Sequence, residues 1–149
     1  MDEKLVTALL FSEDFSDVLI ARVSADEGKS VIGFPQNVAP AGEDTHYSLP
    51  CLAASRAINA ALQLDIPVSD WFLAKHTAGR VDEWALYATV SRRVLFRAAS
   101  NVDGVVPLLP VSAVLSDAWA DPSKYSPDFL VLLAAARTQA AERRKSFEY

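Results

Sequence analysis

The sequence contains a single cysteine, Cys51, so no disulfide can form within the chain. A lone cysteine favours a reducing, cytoplasmic compartment, because disulfide frameworks are typical of oxidising ones. The two histidines are widely spaced from each other and from this cysteine, and together they match no zinc-binding pattern. A phosphate-binding loop and a glycine-rich dinucleotide fingerprint are also missing. These absences exclude disulfide-stabilised domains, zinc domains and P-loop proteins.

Long apolar runs and an excess of positive charge are lacking as well. The first apolar stretch is short and is followed directly by the polar segment SEDFSD, which predicts neither a signal peptide nor a membrane anchor. The formal net charge of -5 and the sequence pI near 4.9 argue against a surface that collects nucleic-acid phosphates. With 149 residues, 51% of them hydrophobic, we expect one domain over residues 1–149.

The first half of the chain predicts strands followed by one helix. Strands are expected at Lys4–Phe11, at Val18–Val23 and at the segment VIGF, with SEDFSD closing a hairpin between the first two. The prolines and the glycine between Pro35 and Pro50 predict a long loop. From about Leu49 the apolar residues recur at helical spacing, which predicts a helix that ends before Pro67.

The second half predicts more strands and a closing helix. Further strands are expected at Trp71–His76, Glu83–Val90, Val94–Ala98 and Val105–Leu109. The segment PVSAVLSDAW is expected to form a short helical turn. The segment from Ser126 onwards begins with a Ser-Pro-Asp start signal and ends in basic residues, which predicts a terminal helix. This order of elements predicts a mixed α/β sandwich.

Several segments, in this order, resemble the Nudix hydrolases, whose box is written G-x5-E-x7-R-E-U-x-E-E-x-G-U with U apolar. TALLF and DVLIARV resemble the family's opening strands, FPQNVAPAGED its loop, AASRAINAALQLDI its helix, DEWALYATV its central strand and NVDGVVPLLPVSAVL a later stretch. The tail YSPDFLVLLAAA is similar to that of small bacteriophage-encoded members. The resemblance covers most of the chain and implies the α/β class, as a Nudix-like α/β/α sandwich with a mixed sheet.

The helix departs from the family pattern at the positions that carry the chemistry. Arg56 stands at the box arginine, but Ala57, Ala60 and Ala61 stand where the box has glutamates. Gln63 replaces the later glycine of the box. Glutamates at these spacings would share one helix face and would hold Mg²⁺ to clamp a diphosphate and activate water.

Loss of all three carboxylates implies a catalytically degenerate Nudix-like domain with no expected cofactor. Such a domain would act as a nucleotide-related ligand-binding module or as a protein-interaction module, and the resemblance implies a possible homodimer. The alternative is an active pyrophosphohydrolase of nucleoside-diphosphate-linked compounds that uses Mg²⁺ and relocated acidic residues. The candidates for those acids are Glu43, Asp82, Glu83 and Asp103. A third reading is an ordinary alanine-rich helix with Arg56 on its surface.

The loop before Arg56 can be aligned with the box in two ways. Counting back along the formal spacing places Gly42 at the box glycine and Ser48 at its first glutamate. Matching the dipeptide Gly42-Glu43 to the family's Gly-Glu needs about five inserted residues. This second alignment places Gln36-Asn37 at the family's glycine pair, and we prefer it because VAPAGED fits better.

Four aromatic residues are candidates for contact with a nucleobase. Trp71, Phe72, Trp84 and Tyr87 lie on strands that would flank a Nudix-like pocket, with Arg56 as a further candidate ligand contact. The same rings would also serve as core residues of the sheet. A second group, Arg92, Arg93 and Arg97, suits a phosphate or an acidic partner, or a strand edge protected by charge.

Overall fold

The computed structural model describes residues 4–24, 28, 30–39, 48–100 and 108–147. Its strands are β1 (Lys4–Ser12), β2 (Asp17–Leu19), β3 (Ala21–Ser24), β4 (Ser30–Gly33), β5 (Gln36–Ala39), β6 (Phe72–Thr77), β7 (Asp82–Val90) and β8 (Leu108–Pro110). Its helices are α1 (Ser48–Leu62), α2 (Arg92–Ser100), α3 (Val111–Ala120) and α4 (Phe129–Phe147). None of the helices in these ranges is both long and apolar enough to cross a lipid bilayer.

Strand β1 is the centre of a mixed sheet. It pairs in parallel with β7 along its whole length, from Lys4 opposite Asp82 to Ser12 opposite Val90. On its other side it pairs antiparallel with β5 at its beginning and with β2 at its end. The strand order is β6-β7-β1-β2-β8, while β3 and β4 form a separate two-stranded sheet. The antiparallel β1–β2 pair confirms the predicted hairpin, but the single strand predicted at Val18–Val23 divides into β2 and β3, which belong to different sheets.

The alternating side chains of β1 feed two hydrophobic cores, one on each face of the sheet. Val6, Ala8 and Leu10 belong to the core that lies under α1 and α2. Leu9 and Phe11 belong to the core formed with α3 and α4. Because a strand presents successive side chains to opposite faces, a continuous apolar run such as this one is expected when helices cover both sides. The result is an α/β/α sandwich, which confirms the predicted fold class.

The strand predicted at Val94–Ala98 is wrong, because these residues form part of α2. Leu95 is fully buried, and Ala98 and Ala99 pack against the core below the helix, whereas Val94 and Phe96 face outwards. Burial at positions three and four apart is a helical pattern. The β-branched and aromatic residues of this segment hid that period.

A further difference concerns the loop predicted between Pro35 and Pro50. Gln36–Ala39 forms β5, whose Ala39 is buried and whose Asn37 Nδ2 donates to the Ala53 carbonyl of α1 at 3.3 Å. This contact ties the strand to the helix. Residues 40–47 of the predicted loop, and residues 105–107 of the predicted strand at Val105–Leu109, lie outside the described residues.

Candidate functional site

Helix α1 carries the positions at which the Nudix resemblance expects carboxylates. The three alanines differ in their surroundings: Ala57 is 6% exposed and belongs to the core, Ala61 is half-buried against that core, and Ala60 is exposed. The buried position leaves no solvent beside the Ala57 methyl group for an ion. On this face of the helix, Ala57 therefore packs into the core, while Ala60 presents a methyl group to solvent.

Gln63, at the position of the box glycine, ends α1 in a left-handed backbone conformation with a φ of 55°. Its backbone N–H donates to the Asn59 carbonyl at 2.8 Å, which satisfies one of the last carbonyls of the helix. The backbone conformation that favours glycine is thus present at this position, although the glycine is not.

Arg56 is exposed on α1 and borders an open groove of about 310 Å³. The groove is lined by Ser55, Arg56, Asn59, Ala60, Asp65 and Ile66. Its polar groups bond to one another: Ser55 Oγ donates to the Ile66 carbonyl at 2.7 Å, and Asn59 Nδ2 donates to Asp65 Oδ1 at 2.7 Å. These bonds hold the end of α1 against the segment that follows it.

The donor set of the described residues does not fit a Mg²⁺ ion of the kind that the fold family uses. Such an ion takes oxygen ligands, and the helix face offers methyl groups at all three box positions. No three His, Cys, Asp or Glu residues converge into a metal-holding group within the described part of the chain. Glu43 and Asp103, two of the acidic candidates, lie outside it.

Asp82, a third acidic candidate, is already engaged by two neighbouring side chains. His76 Nε2 lies 2.7 Å from its Oδ1, and Trp84 Nε1 donates to its Oδ2 at 3.0 Å. The His76 and Trp84 rings stack with centroids 3.9 Å apart. The hydrogen bonds from His76 and then from Trp84 lower the pKa of Asp82. The ionised Asp82 carboxylate is therefore already used as a hydrogen-bond acceptor, and it fixes the His76 and Trp84 rings at the edge of the sheet.

The aromatic candidates occupy three separate environments. Trp71 is 3% exposed, and its indole N–H donates to Ser55 Oγ at 2.8 Å. Tyr87 is 2% exposed and lies 5.6 Å from Phe72, which in turn is covered by the Arg143 guanidinium at 3.5 Å. Of the aromatic candidates, Trp84 alone lines the pocket described next.

A polar pocket lies at the beginning of β1 and β7 and extends to α4. Its volume is about 230 Å³, and its lining consists of Leu5, Thr7, Gln36, Lys75, Thr77, Glu83, Trp84, Ala85, Asp128 and Leu132. Ala85 and Leu132 belong to the core on the α4 side. The pocket therefore opens on the face of the sheet opposite α1. Glu83, the fourth acidic candidate, lies here, whereas Arg56 lies in the α1 groove.

Five of the polar lining residues were missed as site residues by sequence reasoning: Thr7, Gln36, Lys75, Thr77 and Asp128. They come from β1, β5, β6 and the residue before α4, and they meet because β1 lies between β5 and β7. Gln36 Nε2 donates to Thr7 Oγ1 at 3.3 Å. Polar residues at alternate positions of otherwise apolar strands, such as Thr7, were the one available signal.

No protein-family model matches the sequence, and no curated protein is significantly similar to it. Solved structures do resemble the fold. Shewanella oneidensis NrtR aligns with a TM-score of 0.67 and 17% identity, covering 94% of this chain and 64% of NrtR. An ADP compounds hydrolase aligns with a TM-score of 0.64 and 14% identity, covering 96% of this chain and 75% of the other. A NUDIX hydrolase from Nitrosomonas europaea aligns with a TM-score of 0.56 and 11% identity, covering 93% and 90%.

These alignments define the class of fold. The alignments with the two hydrolases cover 96% and 93% of this chain. The protein has the Nudix fold, as the resemblance of its sequence predicts. Sequence identities of 11–17% support an inference about the fold of this chain but not about the ligand that it binds.

Proposed function

We propose that the protein is a catalytically degenerate Nudix-fold domain that binds a nucleotide-related ligand without cleaving its pyrophosphate bond. The observation that carries this proposal is the environment of Ala57, which is packed into the core at the position of a box glutamate. Ala60 and Ala61 complete a helix face without a carboxylate. Because metal clamping provides several kcal/mol of transition-state stabilisation, its loss would lower the rate by orders of magnitude.

The chemistry of the polar pocket supports a ligand rather than a vestigial cavity. Glu83 and Asp128 accept hydrogen bonds, Lys75 donates them, and Gln36 does both. With two carboxylates and one ammonium group, the lining disfavours phosphate and suits the mixed donors and acceptors of a nucleobase. The volume of about 230 Å³ holds part of a ligand, since whole drug-sized molecules fill about 300–1,000 Å³. The phosphates would extend out of the pocket.

The proposal is tested by isothermal titration calorimetry with nucleosides, nucleotides and sugar nucleotides, all in EDTA. We expect binding without metal and a several-fold lower affinity for Asp128→Asn, because a carboxylate acceptor of the pocket lining becomes a mixed donor and acceptor. Asp70→Asn, on an exposed turn away from the pocket, is the matched control and is expected to bind as the unmodified protein does. Equal affinities of the two variants would contradict the assignment of the pocket.

The predicted homodimer, cytoplasmic location and bacteriophage type, and a single domain over residues 1–149, stay predictions. Analytical ultracentrifugation tests the first of them. A dimer would sediment at twice the mass of the 16.2 kDa chain.

A further inference from the structure

Helix α2 buries the row of Leu95 and Ala99 against the core and exposes most of its other side chains. Leu95 is fully buried. The row next to it holds Arg92 and Phe96, and the Arg92 guanidinium lies 5.1 Å from the centroid of the Phe96 ring. The next row holds Arg93 and Arg97, both exposed, and the third holds the exposed Val94 with Ala98, which is half-buried against the core. Val94 and Phe96 are 42% and 44% exposed. An arginine row is thus flanked by apolar side chains on both sides.

Helix stability explains only part of the charge of this face, because Arg97 alone stands in the last turn, where the helix dipole favours a cation. Arg92 and Arg93 stand in the first turn, where the helix dipole disfavours cations, and α2 contains no acidic residue. Arg92 is compensated by Asp17, whose Oδ2 lies 2.9 Å from its Nε. Neither Arg93 nor Arg97 forms an ion pair with any described residue. Ser91 Oγ already accepts the Val94 N–H at 3.2 Å, so the helix end is itself capped.

Beside the arginine row runs an open groove between α2 and the end of α1. It has a volume of about 310 Å³ and is lined by Leu62, Gln63, Leu64, Val94, Arg97 and Ala98. The apolar floor of the groove is therefore bordered by the guanidinium group of Arg97. A helix with one apolar face and acidic flanks would fit such a groove, because its apolar anchors enter the floor while its carboxylates meet the arginines.

We propose that α2 and this groove, together called the α2 surface, bind an acidic amphipathic helix of a partner protein. A second copy of the chain docked α2 to α2 would place like charges opposite each other, which is unfavourable. The exposed Val94 and Phe96 favour a protein over a nucleic acid, whose backbone offers them no apolar contact. The proposal is independent of the nucleotide pocket, which opens on the opposite face of the sheet.

Fluorescence anisotropy with a labelled synthetic peptide tests the α2 surface. The probe has about 18 residues, five helical turns, with leucines on one face and glutamates elsewhere. Two controls accompany it: a scrambled peptide of the same composition, and a single-stranded oligonucleotide of similar charge. The double variant Arg93→Glu/Arg97→Glu removes the positive row, and Arg137→Glu changes an exposed arginine of α4 as the matched control.

We expect saturable binding of the amphipathic peptide that weakens with salt. The double variant should bind at least about tenfold more weakly, and Arg137→Glu should bind as the unmodified protein does. Circular dichroism of both variants checks that they fold. Absence of binding, equal binding of the scrambled peptide, or unchanged binding by the double variant would overturn the proposal. Tighter binding of the oligonucleotide, lost in the same variant, would assign the surface to nucleic acid instead.

Discussion

Gln63 holds a backbone conformation that costs a non-glycine residue free energy. A left-handed residue is disfavoured by about 1–2 kcal/mol, and glycine avoids this strain at some cost in unfolded-chain entropy. We therefore expect Gln63→Gly to raise the free energy of unfolding by about 0.5–1 kcal/mol. Urea unfolding measures the change.

The same substitution inside a helix provides the control for Gln63. Gln139 is exposed within α4, and Gln139→Gly should lower the free energy of unfolding by about 1 kcal/mol. Two variants that shift stability in the same direction would show that the left-handed conformation of Gln63 carries no strain.

Asp14 is the acceptor that organises the turn between β1 and β2. Its Oδ1 accepts hydrogen bonds from Ser16 Oγ at 2.6 Å, Ser12 Oγ at 2.8 Å and Ser16 N at 3.1 Å. The bonds from Ser16 and Ser12 lower the pKa of Asp14 from 3.8 to about 2. Because the folded-state pKa lies below the unfolded one, the ionised carboxylate stabilises the fold above pH 3.8, and this contribution is lost as the pH falls to about 2.

Thermal unfolding at a series of pH values checks the role of Asp14. Asp14→Asn should melt below the unmodified protein at neutral pH, and the two melting temperatures should converge between pH 3.8 and about 2. The adjacent exposed Glu13, changed to Gln, is the control. A constant difference between Asp14→Asn and the unmodified protein across that range would contradict the assigned role.

At the scale of elements, one ion pair fastens α2 to the hairpin. Asp17 has only 4% of its side chain exposed, and Arg92 provides its cation from the first turn of α2. We expect Arg92→Met to lower the free energy of unfolding by about 1.5–3 kcal/mol, the range of a charged hydrogen bond. The value stays below that of a fully buried pair because 65% of the Arg92 side chain is exposed.

Arg93→Met is the control for this ion pair, since Arg93 neighbours Arg92 on the same turn and forms no ion pair with any described residue. Its stability should change by less than about 0.5 kcal/mol. If both variants lost equal stability under chemical denaturation, the effect would belong to the helix as a whole and not to the contact with Asp17.

Elements with a strong local signal could be predicted from the sequence. The apolar run of β1 and the alanine-rich period of α1 lie within a few residues of their predicted bounds. Segments whose state depends on distant partners could not. Gln36–Ala39 becomes a strand because β1 offers it an open edge, and α2 is helical because Leu95 reaches the core below.

The candidate site was harder to predict than the fold for the same reason. Arg56 and the three alanines are adjacent in sequence and follow from the family pattern. The polar pocket instead joins Thr7, Gln36, Lys75 and Asp128 across most of the chain, and their meeting depends on strand order. The spacing of residues along a sequence does not reveal the order of the strands in the sheet.

At the scale of the whole molecule, the two faces of the sheet separate two kinds of surface. The α1 and α2 face carries the alanine-substituted box helix and the arginine row, and the α4 face carries the polar pocket. The described residues thus place a polar pocket on one face of the sheet and a helix without the box carboxylates on the other. At the three box positions α1 carries methyl groups, and Ala57 packs into the core below the helix.

Thermal shift with ADP-ribose and a panel of nucleotides, each in EDTA and in Mg²⁺, with product analysis of the same samples, tests this account most directly. A ligand that binds the folded state raises the melting temperature by mass action. The account predicts a shift of the same size in EDTA and in Mg²⁺, with the ligand recovered intact. A shift that requires Mg²⁺, accompanied by hydrolysis products, would contradict it and would assign the chemistry to acidic residues outside the box helix.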